Sequence, residues 1–279
     1  MTMPQYTLCY ILGSGHCGST LLDLMLNGHS EVLGLGEVVV LKSDFKALIS
    51  DEAREFPQWY RSFWNEVKRR YESLSGEPFE QINVAHPTWK TLRAWRPADL
   101  EAWTQYNKML FSCIQQISGA RILTDSSKFP HRLYLLQRSR IFDIRVIHLV
   151  RDGRAVINSY IRKYNNFYIG FRRWATPALL AFHLRRQFSR DHWLQIRYES
   201  LATKPESTLK CICDLINIDF ESEMLAYRSR AYLGIGGNRM RMRSDEMIHL
   251  DDQWKTQLRS KHRIGFALIA GWLNMLYGY

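Results

Sequence analysis

The stretch Tyr10-Ile-Leu-Gly-Ser-Gly-His-Cys-Gly-Ser-Thr-Leu-Leu-Asp-Leu-Met-Leu26 decides the fold. It reads as an apolar strand, a glycine-studded turn and the start of a helix. In such a turn the backbone N–H groups of residues 15–20 converge, and the helix adds the positive end of its dipole. The sequence therefore predicts an anion site at the carboxyl end of a first strand, where open α/β sheets bind their ligands.

This turn differs from a Walker A loop, which carries four residues between its glycines and then Gly-Lys-Ser/Thr. In that loop the lysine reaches the terminal phosphates and the hydroxyl binds magnesium. Residues 13–20 lack that lysine. We therefore expect a phosphate ligand other than the γ-phosphate of Mg-ATP, and no metal site.

Length and composition indicate one domain spanning residues 1–279, because 46% of the residues are hydrophobic. The five cysteines include no CxxC pair, which favours free thiols in a reducing compartment. The first residues have no signal-peptide pattern, so a cytoplasmic location is expected. Residues 264–279 are too short for a membrane span and predict a terminal core helix.

Strand candidates at residues 6–12, 121–124, 144–150 and 193–198 are each followed by a turn and a helical pattern. This alternation predicts an α/β fold with a mostly parallel sheet. Residues from about 40 to 118 carry aromatics at helical spacing and no convincing strand, which predicts a helical insertion. Within it, Pro97 and Asp99 indicate the start of a long helix and Gly119 its end.

A second motif reads Val150-Arg-Asp-Gly-Arg-Ala-Val-Ile-Asn-Ser159. It predicts a buried strand that ends at Arg151 and a helix that carries Ser159, so Arg151 must reach back for both to contact one phosphate. We expect Asp152 and Arg154 to start and support that helix. His148, inside the apolar strand, is expected in the core.

Together the two motifs resemble the sulfotransferases that use 3'-phosphoadenosine 5'-phosphosulfate (PAPS), a family with a P-loop-like three-layer fold. The resemblance implies PAPS as cofactor, adenosine 3',5'-bisphosphate as product, and a 3'-phosphate site at Arg151 and Ser159. It also implies a 5'-phosphosulfate loop formed by Gly15, His16, Cys17, Gly18, Ser19 and Thr20.

Three further segments extend the resemblance. Residues 122–130 are similar to the segment of bacterial members and tyrosylprotein sulfotransferases whose Lys-x-Pro supplies a catalytic lysine, which implies Lys128 here. Residues 196–201 resemble the family's Tyr-Glu-x-Leu segment and imply Tyr198 near the base or ribose. Residues 234–241 look like the late loop that closes over the 3' side, and imply Gly237, Asn238 and Arg239.

The resemblance also implies catalytic roles. Lys128, assisted by His16, would bind the sulfuryl oxygens, and Glu37 is the leading candidate for the base. Glu37 could instead begin a helix at 37–49, and His86 is the alternative base. His16 stands where resembling enzymes have Lys or Arg, so it is either a protonated ligand or a neutral hydrogen-bond donor.

Cys17 lies in the phosphate loop at a helix N-terminus, a position that lowers the pKa of a thiol. We therefore predict that Cys17 is readily alkylated in the empty enzyme and that the product nucleotide protects it.

Two other functions compete with this interpretation. A P-loop nucleotide kinase would share the strand, loop and helix. A nucleic-acid-binding protein would fit the net charge of +11, but the basic residues are dispersed and the aromatics follow helical spacing.

The acceptor is expected to be a small molecule with a hydroxyl, amine or guanidine group. Resembling enzymes modify natural products, including guanidinium alkaloids of the saxitoxin type. A cationic acceptor would require acidic residues in its pocket, with candidates Asp51, Glu52, Glu55 and Glu66.

Overall fold

The computed structural model describes residues 6–43, 56–84, 92–238, 241 and 248–279. Its centre is a five-stranded parallel sheet with strand order β2-β3-β1-β4-β5. The strands are β1 (Tyr6–Gly13), β2 (Val32–Gly34), β3 (Ile122–Lys128), β4 (Phe142–Val150) and β5 (Trp193–Arg197). The predicted α/β class with a parallel sheet is confirmed.

The helices of the described residues cover both faces of this sheet. They are α1 (Ser19–Asn27), α2 (Gln58–Ser75), α3 (Pro97–Ser118), α4 (Pro130–Ser139), α5 (Gly153–Tyr164), α6 (Phe167–Arg185), α7 (Tyr198–Thr203), α8 (Pro205–Ile216), α9 (Trp254–Gln257) and α10 (Ser260–Leu276).

Side chains that alternate along β1 pack into two hydrophobic cores, one on each face of the sheet. Leu8, Tyr10 and Leu12 pack into the cluster that contains α2, α3 and α4. Cys9 and Ile11 pack on the other face, with α1 and α8. Because successive strand residues point to opposite faces, one strand supplies both cores, and the result is the predicted three-layer arrangement.

The four predicted strands are present, with bounds within two residues of the prediction except at the end of β3. β3 continues to Lys128, past the predicted end at residue 124. The added residues 125–128 are polar but mostly buried. Their polar groups find partners inside the protein, because the Asp125 carboxylate accepts hydrogen bonds from the Ser127 hydroxyl and from Arg132 of α4. β2 was not predicted, since three residues are too few to show a period.

The long helix of the insertion forms as predicted. It begins at Pro97, where the Asp99 side chain accepts a hydrogen bond from the backbone N–H of Arg96 at 2.7 Å. It ends before Gly119, which has φ 69°. Within the described part of residues 40–118 there are helices and turns but no strand.

The expectation of a terminal core helix is only half right. α10 buries Phe266, Ala270 and Leu273 against α5 and α6, while its opposite face exposes large apolar side chains. α10 lies on the outside of a helical layer, so one face has no protein partner among the described residues. None of the helices in the described ranges combines the length and hydropathy needed to cross a bilayer.

Candidate functional site

The turn between β1 and α1 is shaped to receive an anion. Gly18 caps α1 with φ 95°, and a Cβ there would lie 2.5 Å from the ring of Tyr198. α1 has no side-chain cap and no acidic residue in its first turn. Its positive dipole end and first-turn amides therefore face the loop without a competing carboxylate.

Arg151 joins the two sequence motifs. It follows β4, is 6% exposed, and donates through Nη1 to the carbonyl of His16 at 2.8 Å. Its guanidinium lies 4.3 Å from the ring centroid of Tyr198. Its Nε is one of the buried nitrogens in the described chain that has no hydrogen-bond partner. Arg151 reaches back to the loop, as the sequence required.

The start of α5 is built as expected. The Asp152 carboxylate accepts from the backbone N–H of Arg154 and from the Arg154 side chain. Ser159 is buried on this helix, where its hydroxyl donates to the carbonyl of Ala155 at 3.2 Å. His148 is buried in β4, and burial lowers its pKa to about 3. It is therefore a neutral core residue.

His16 lies on the loop in the left-handed region, with φ 61°. Its ring makes an edge contact with Tyr160 of α5, with centroids 4.7 Å apart. Burial, followed by the charges of Lys163 and Arg151, lowers the pKa of His16 to about 4. Of the two possibilities left open by the sequence, these surroundings therefore favour the neutral imidazole.

Lys128 and Glu37 form an ion pair beside the loop. Lys128 Nζ lies 2.5 Å from Glu37 Oε1 and 3.1 Å from the carbonyl oxygen of Ser126. Both side chains are largely buried. Glu37 precedes the 3₁₀ turn Val38–Val40 without capping it, so its carboxylate is directed at the lysine. The structure thus brings together the predicted base and the predicted sulfuryl-binding lysine.

The late glycine-asparagine loop lies against the same site. Ile235 pairs with the strand extension around Gly36, and Glu37 donates its N–H to the Ile235 carbonyl at 2.7 Å. Asn238 donates its N–H to the Thr20 hydroxyl at 3.1 Å, and Gly237 lies beside that hydroxyl. Arg239 lies outside the described residues.

A different segment contacts Arg151. The backbone carbonyl of Asp251 accepts from Arg151 Nη2 at 2.7 Å, and its carboxylate lies 3.1 Å from the same nitrogen. The Tyr198 hydroxyl bridges this segment, donating to the carbonyl of His249 and accepting from the N–H of Asp251. Sequence reasoning missed Asp251, because a single aspartate in a polar loop gives no signal of a contact 100 residues away.

Asp23 is a second residue that the sequence reasoning missed. It is buried in α1 and accepts from the N–H of Gly36 at 2.8 Å and from the hydroxyl of Tyr232 at 2.5 Å. Burial raises its pKa. Its bond to the N–H of Gly36 fixes the backbone immediately before Glu37. An aspartate inside the apolar run of α1 was the available signal.

A buried ion pair ties the insertion to the end of β3. Arg132 donates to Asp125 at 2.7 Å, and neither side chain has exposed surface. Arg132 also donates to the carbonyl of Val84 at 2.5 Å and to Asn107 of α3 at 3.2 Å. Asp125 additionally accepts from the N–H of Ser127. The network thus runs from the insertion to Asp125 and Ser127, in the part of β3 that ends at Lys128.

We expect Arg132→Met to destabilise the protein by about 3–5 kcal/mol, because it leaves the carboxylate of Asp125 buried without its charge partner. Thermal denaturation would show a drop of roughly 6–20 °C. Arg138→Met, on the exposed side of the same helix, is the control. Equal melting temperatures for the two variants would contradict the assignment.

The prediction for Cys17 is wrong. Its side chain has no exposed surface, and burial raises the pKa of the thiol above its ordinary value. Although Cys17 is close to a helix N-terminus, its side chain points into the core, where desolvation outweighs the helix dipole. Only its backbone is available to a ligand.

Several other candidates cannot be placed at the site. His86, Asp51, Glu52 and Glu55 lie outside the described residues. Glu66 lies on the solvent side of α2, paired with Arg69.

The comparisons with known proteins agree with this geometry. The model of a family described as "Sulfotransferase family" matches residues 9–222. The sulfotransferase domain of the Synechococcus PCC 7002 olefin synthase is similar in structure, with TM-score 0.65 and 22% identity over 100% of this chain and 96% of that domain. The sulfotransferase domain from the curacin biosynthetic pathway gives TM-score 0.57 and 22% identity, over 95% and 98%. No curated protein matches significantly.

The matched family segment contains the glycine loop, Glu37, Lys128 and Arg151, and the two structural neighbours share the fold over nearly the whole chain. The chain therefore belongs to the sulfotransferase family.

Proposed function

We propose that this protein transfers a sulfuryl group from PAPS to a hydroxyl or nitrogen of a small molecule. The observation that carries the proposal is the meeting of three features at one glycine loop. These features are an uncapped helix start, the buried Arg151 and the Glu37–Lys128 pair. Family membership supports the reaction class, and the residues support the donor.

The residues around the loop fit a nucleotide with two separate phosphate groups. The first-turn amides of α1 and Thr20 would hold the 5'-phosphosulfate. Arg151 would hold the 3'-phosphate, since its guanidinium is fixed by Tyr198 and its Nε is buried without a partner. When bound, PAPS supplies an activated sulfuryl group.

Glu37 and Lys128 would have two different roles in the transfer, one toward the acceptor and one toward the developing negative charge. Glu37 would accept the proton of the acceptor hydroxyl or amine, which neutralises its carboxylate. Lys128 then loses its ion-pair partner and is free to donate to the oxygen on which negative charge develops. His16 would donate from its neutral ring. Catalysis of this kind relies on positioned charges rather than on a metal ligand set.

The acceptor would enter over the insertion, which Arg132 joins to Asp125 of β3. One solved neighbour is a domain of an olefin synthase, and the other comes from the curacin biosynthetic pathway. This supports a natural-product acceptor, of which a saxitoxin-type alkaloid is one candidate. The proposal includes a cytoplasmic location. It includes neither a membrane span nor a nucleic-acid partner.

The direct test is transfer of ³⁵S from labelled PAPS to a panel of alcohols, phenols, amines and guanidines, with release of adenosine 3',5'-bisphosphate measured in parallel. Acceptor-dependent release without added metal is expected. Transfer from γ-labelled Mg-ATP instead would favour the P-loop kinase alternative.

Asp251 leads to a specific prediction about nucleotide affinity. Its carboxylate lies at the guanidinium that we assign to the 3'-phosphate, so the two anions would repel each other. Asp251→Asn should tighten binding of adenosine 3',5'-bisphosphate by about fivefold or more, since such a charge interaction is worth on the order of 1 kcal/mol. Titration calorimetry measures this, with Asp252→Asn as the matched control. Weaker binding in Asp251→Asn would contradict the placement of the 3'-phosphate.

A further inference from the structure

Exposed apolar side chains are concentrated on α6 and α10. The described residues expose fourteen large apolar side chains, and ten of them lie on these two helices. Leu268 is 80% exposed, the largest value of the set. The members on α10 are Ile264, Leu268, Ile269, Trp272, Met275 and Leu276. Soluble monomers rarely expose contiguous apolar patches larger than a few hundred Å² without an interaction role.

The two helices form one surface. They run side by side in the same direction, because Phe167 stacks on His262 at 5.0 Å near their starts and Phe182 stacks on Tyr277 at 5.5 Å near their ends. Their inner sides share a core with α5. Their outer sides are therefore neighbours, and α6 adds its own exposed apolar residues, Tyr168, Ile169, Leu179 and Phe182. We call this surface the α6–α10 face.

The charge of the α6–α10 face has one sign. Residues 167–190 and 253–279 contain no aspartate and no glutamate. Exposed cations lie among the apolar positions, since Arg172 follows Tyr168 by one helical turn and Lys261 precedes Ile264 by three residues. Arg173 and Arg186 are also exposed.

This charge pattern argues against pairing with a second copy. A two-fold dimer through the α6–α10 face would place the same basic residues opposite each other, with no carboxylate in either helix to neutralise them. A partner that is both apolar and anionic fits better. The headgroup region of an anionic bilayer has both properties.

We propose that the α6–α10 face binds the surface of membranes that contain anionic phospholipids. Leu268 and its apolar neighbours would enter the boundary between headgroups and acyl chains, while Arg172 and Lys261 would contact lipid phosphates. Trp272, with an apolar ring and a polar N–H, suits the same interface. The protein would lie on the bilayer and not cross it. This inference is independent of the sulfuryl-transfer proposal.

The test is co-sedimentation of the full chain with vesicles of pure phosphatidylcholine and with vesicles that contain phosphatidylglycerol as well. We expect binding to the anionic vesicles that weakens as the ionic strength rises, and little binding to the neutral ones. No binding to anionic vesicles, or equal binding to both kinds, would overturn the proposal.

Variants locate the surface. Arg172→Gln with Lys261→Gln should weaken binding to anionic vesicles by roughly 25-fold, at about fivefold per charge. Leu268→Ser with Trp272→Ser should weaken it by at least tenfold. The controls are Leu74→Ser and Arg69→Gln, on the exposed side of α2, where Leu74 is 58% exposed.

Two results would show that the α6–α10 face does not bind lipid. If the control variants lose as much vesicle binding as the α6–α10 variants, this face is not the lipid-binding surface. If light scattering shows a dimer that Leu268→Ser dissociates, the face belongs to a second copy. Because all substituted side chains are exposed, melting temperatures close to wild type should show that the variants remain folded.

Discussion

Lys128→Met should lower kcat by roughly 10³-fold and leave the affinity for adenosine 3',5'-bisphosphate nearly unchanged. Lys128 is a largely buried cation at the end of β3, held by Glu37 and by the carbonyl oxygen of Ser126. A charge that acts on negative charge developing in the transition state contributes to kcat and little to ground-state binding. The measurement is steady-state transfer of ³⁵S together with calorimetric titration of the nucleotide.

Lys163→Met is the matched control for Lys128→Met. Lys163 also lies close enough to His16 to lower its pKa, but it is exposed on α5 and does not contact Glu37. Its removal should change kcat only slightly. Comparable losses in both variants would mean that general positive potential, and not the position of Lys128, supports the reaction.

Glu37→Gln should lower kcat by about 10²- to 10⁴-fold, the range for loss of a general base. The amide keeps the size of the side chain and can still accept a hydrogen bond from Lys128, but it cannot take the proton of the acceptor. Nucleotide affinity should be close to that of the wild type. Single-turnover transfer at saturating PAPS reports the chemical step.

Two variants keep the Glu37→Gln result interpretable. Glu31→Gln removes an exposed carboxylate that pairs with Arg121 instead, and it should have no effect on transfer. His86→Asn tests the alternative base that the sequence left open. A large loss in His86→Asn with little change in Glu37→Gln would transfer the role of base to the histidine.

Much of this fold could be predicted because its signals are local. A glycine turn between an apolar strand and a helix predicts a phosphate loop from about seventeen contiguous residues, and Gly18 needs its left-handed φ whatever surrounds it. The long helix of the insertion carries its start and stop within its own sequence at Pro97 and Gly119. The motif around Lys128 predicts a catalytic role for it, and the structure places this lysine beside Glu37.

The site contacts that the sequence did not predict are contacts between segments far apart in the chain. Asp251 meets Arg151 across 100 positions, and Tyr232 meets Asp23 across 209. No periodicity or spacing encodes such pairs. The error on Cys17 has the same origin, because the helix N-terminus is visible in the sequence but the burial of the side chain is not.

The most direct test of the central claim is thermal stability in the presence of adenosine 3',5'-bisphosphate or Mg-ADP, for the wild type and Arg151→Ala. A ligand at about 100 times its Kd adds about 2.7 kcal/mol, a shift of several degrees for a chain of this size. We predict that the 3',5'-bisphosphate stabilises the wild type, that Mg-ADP stabilises it less, and that Arg151→Ala loses the response. Equal stabilisation by Mg-ADP, or an unchanged response in Arg151→Ala, would contradict the assignment of this loop and arginine to a PAPS-type nucleotide.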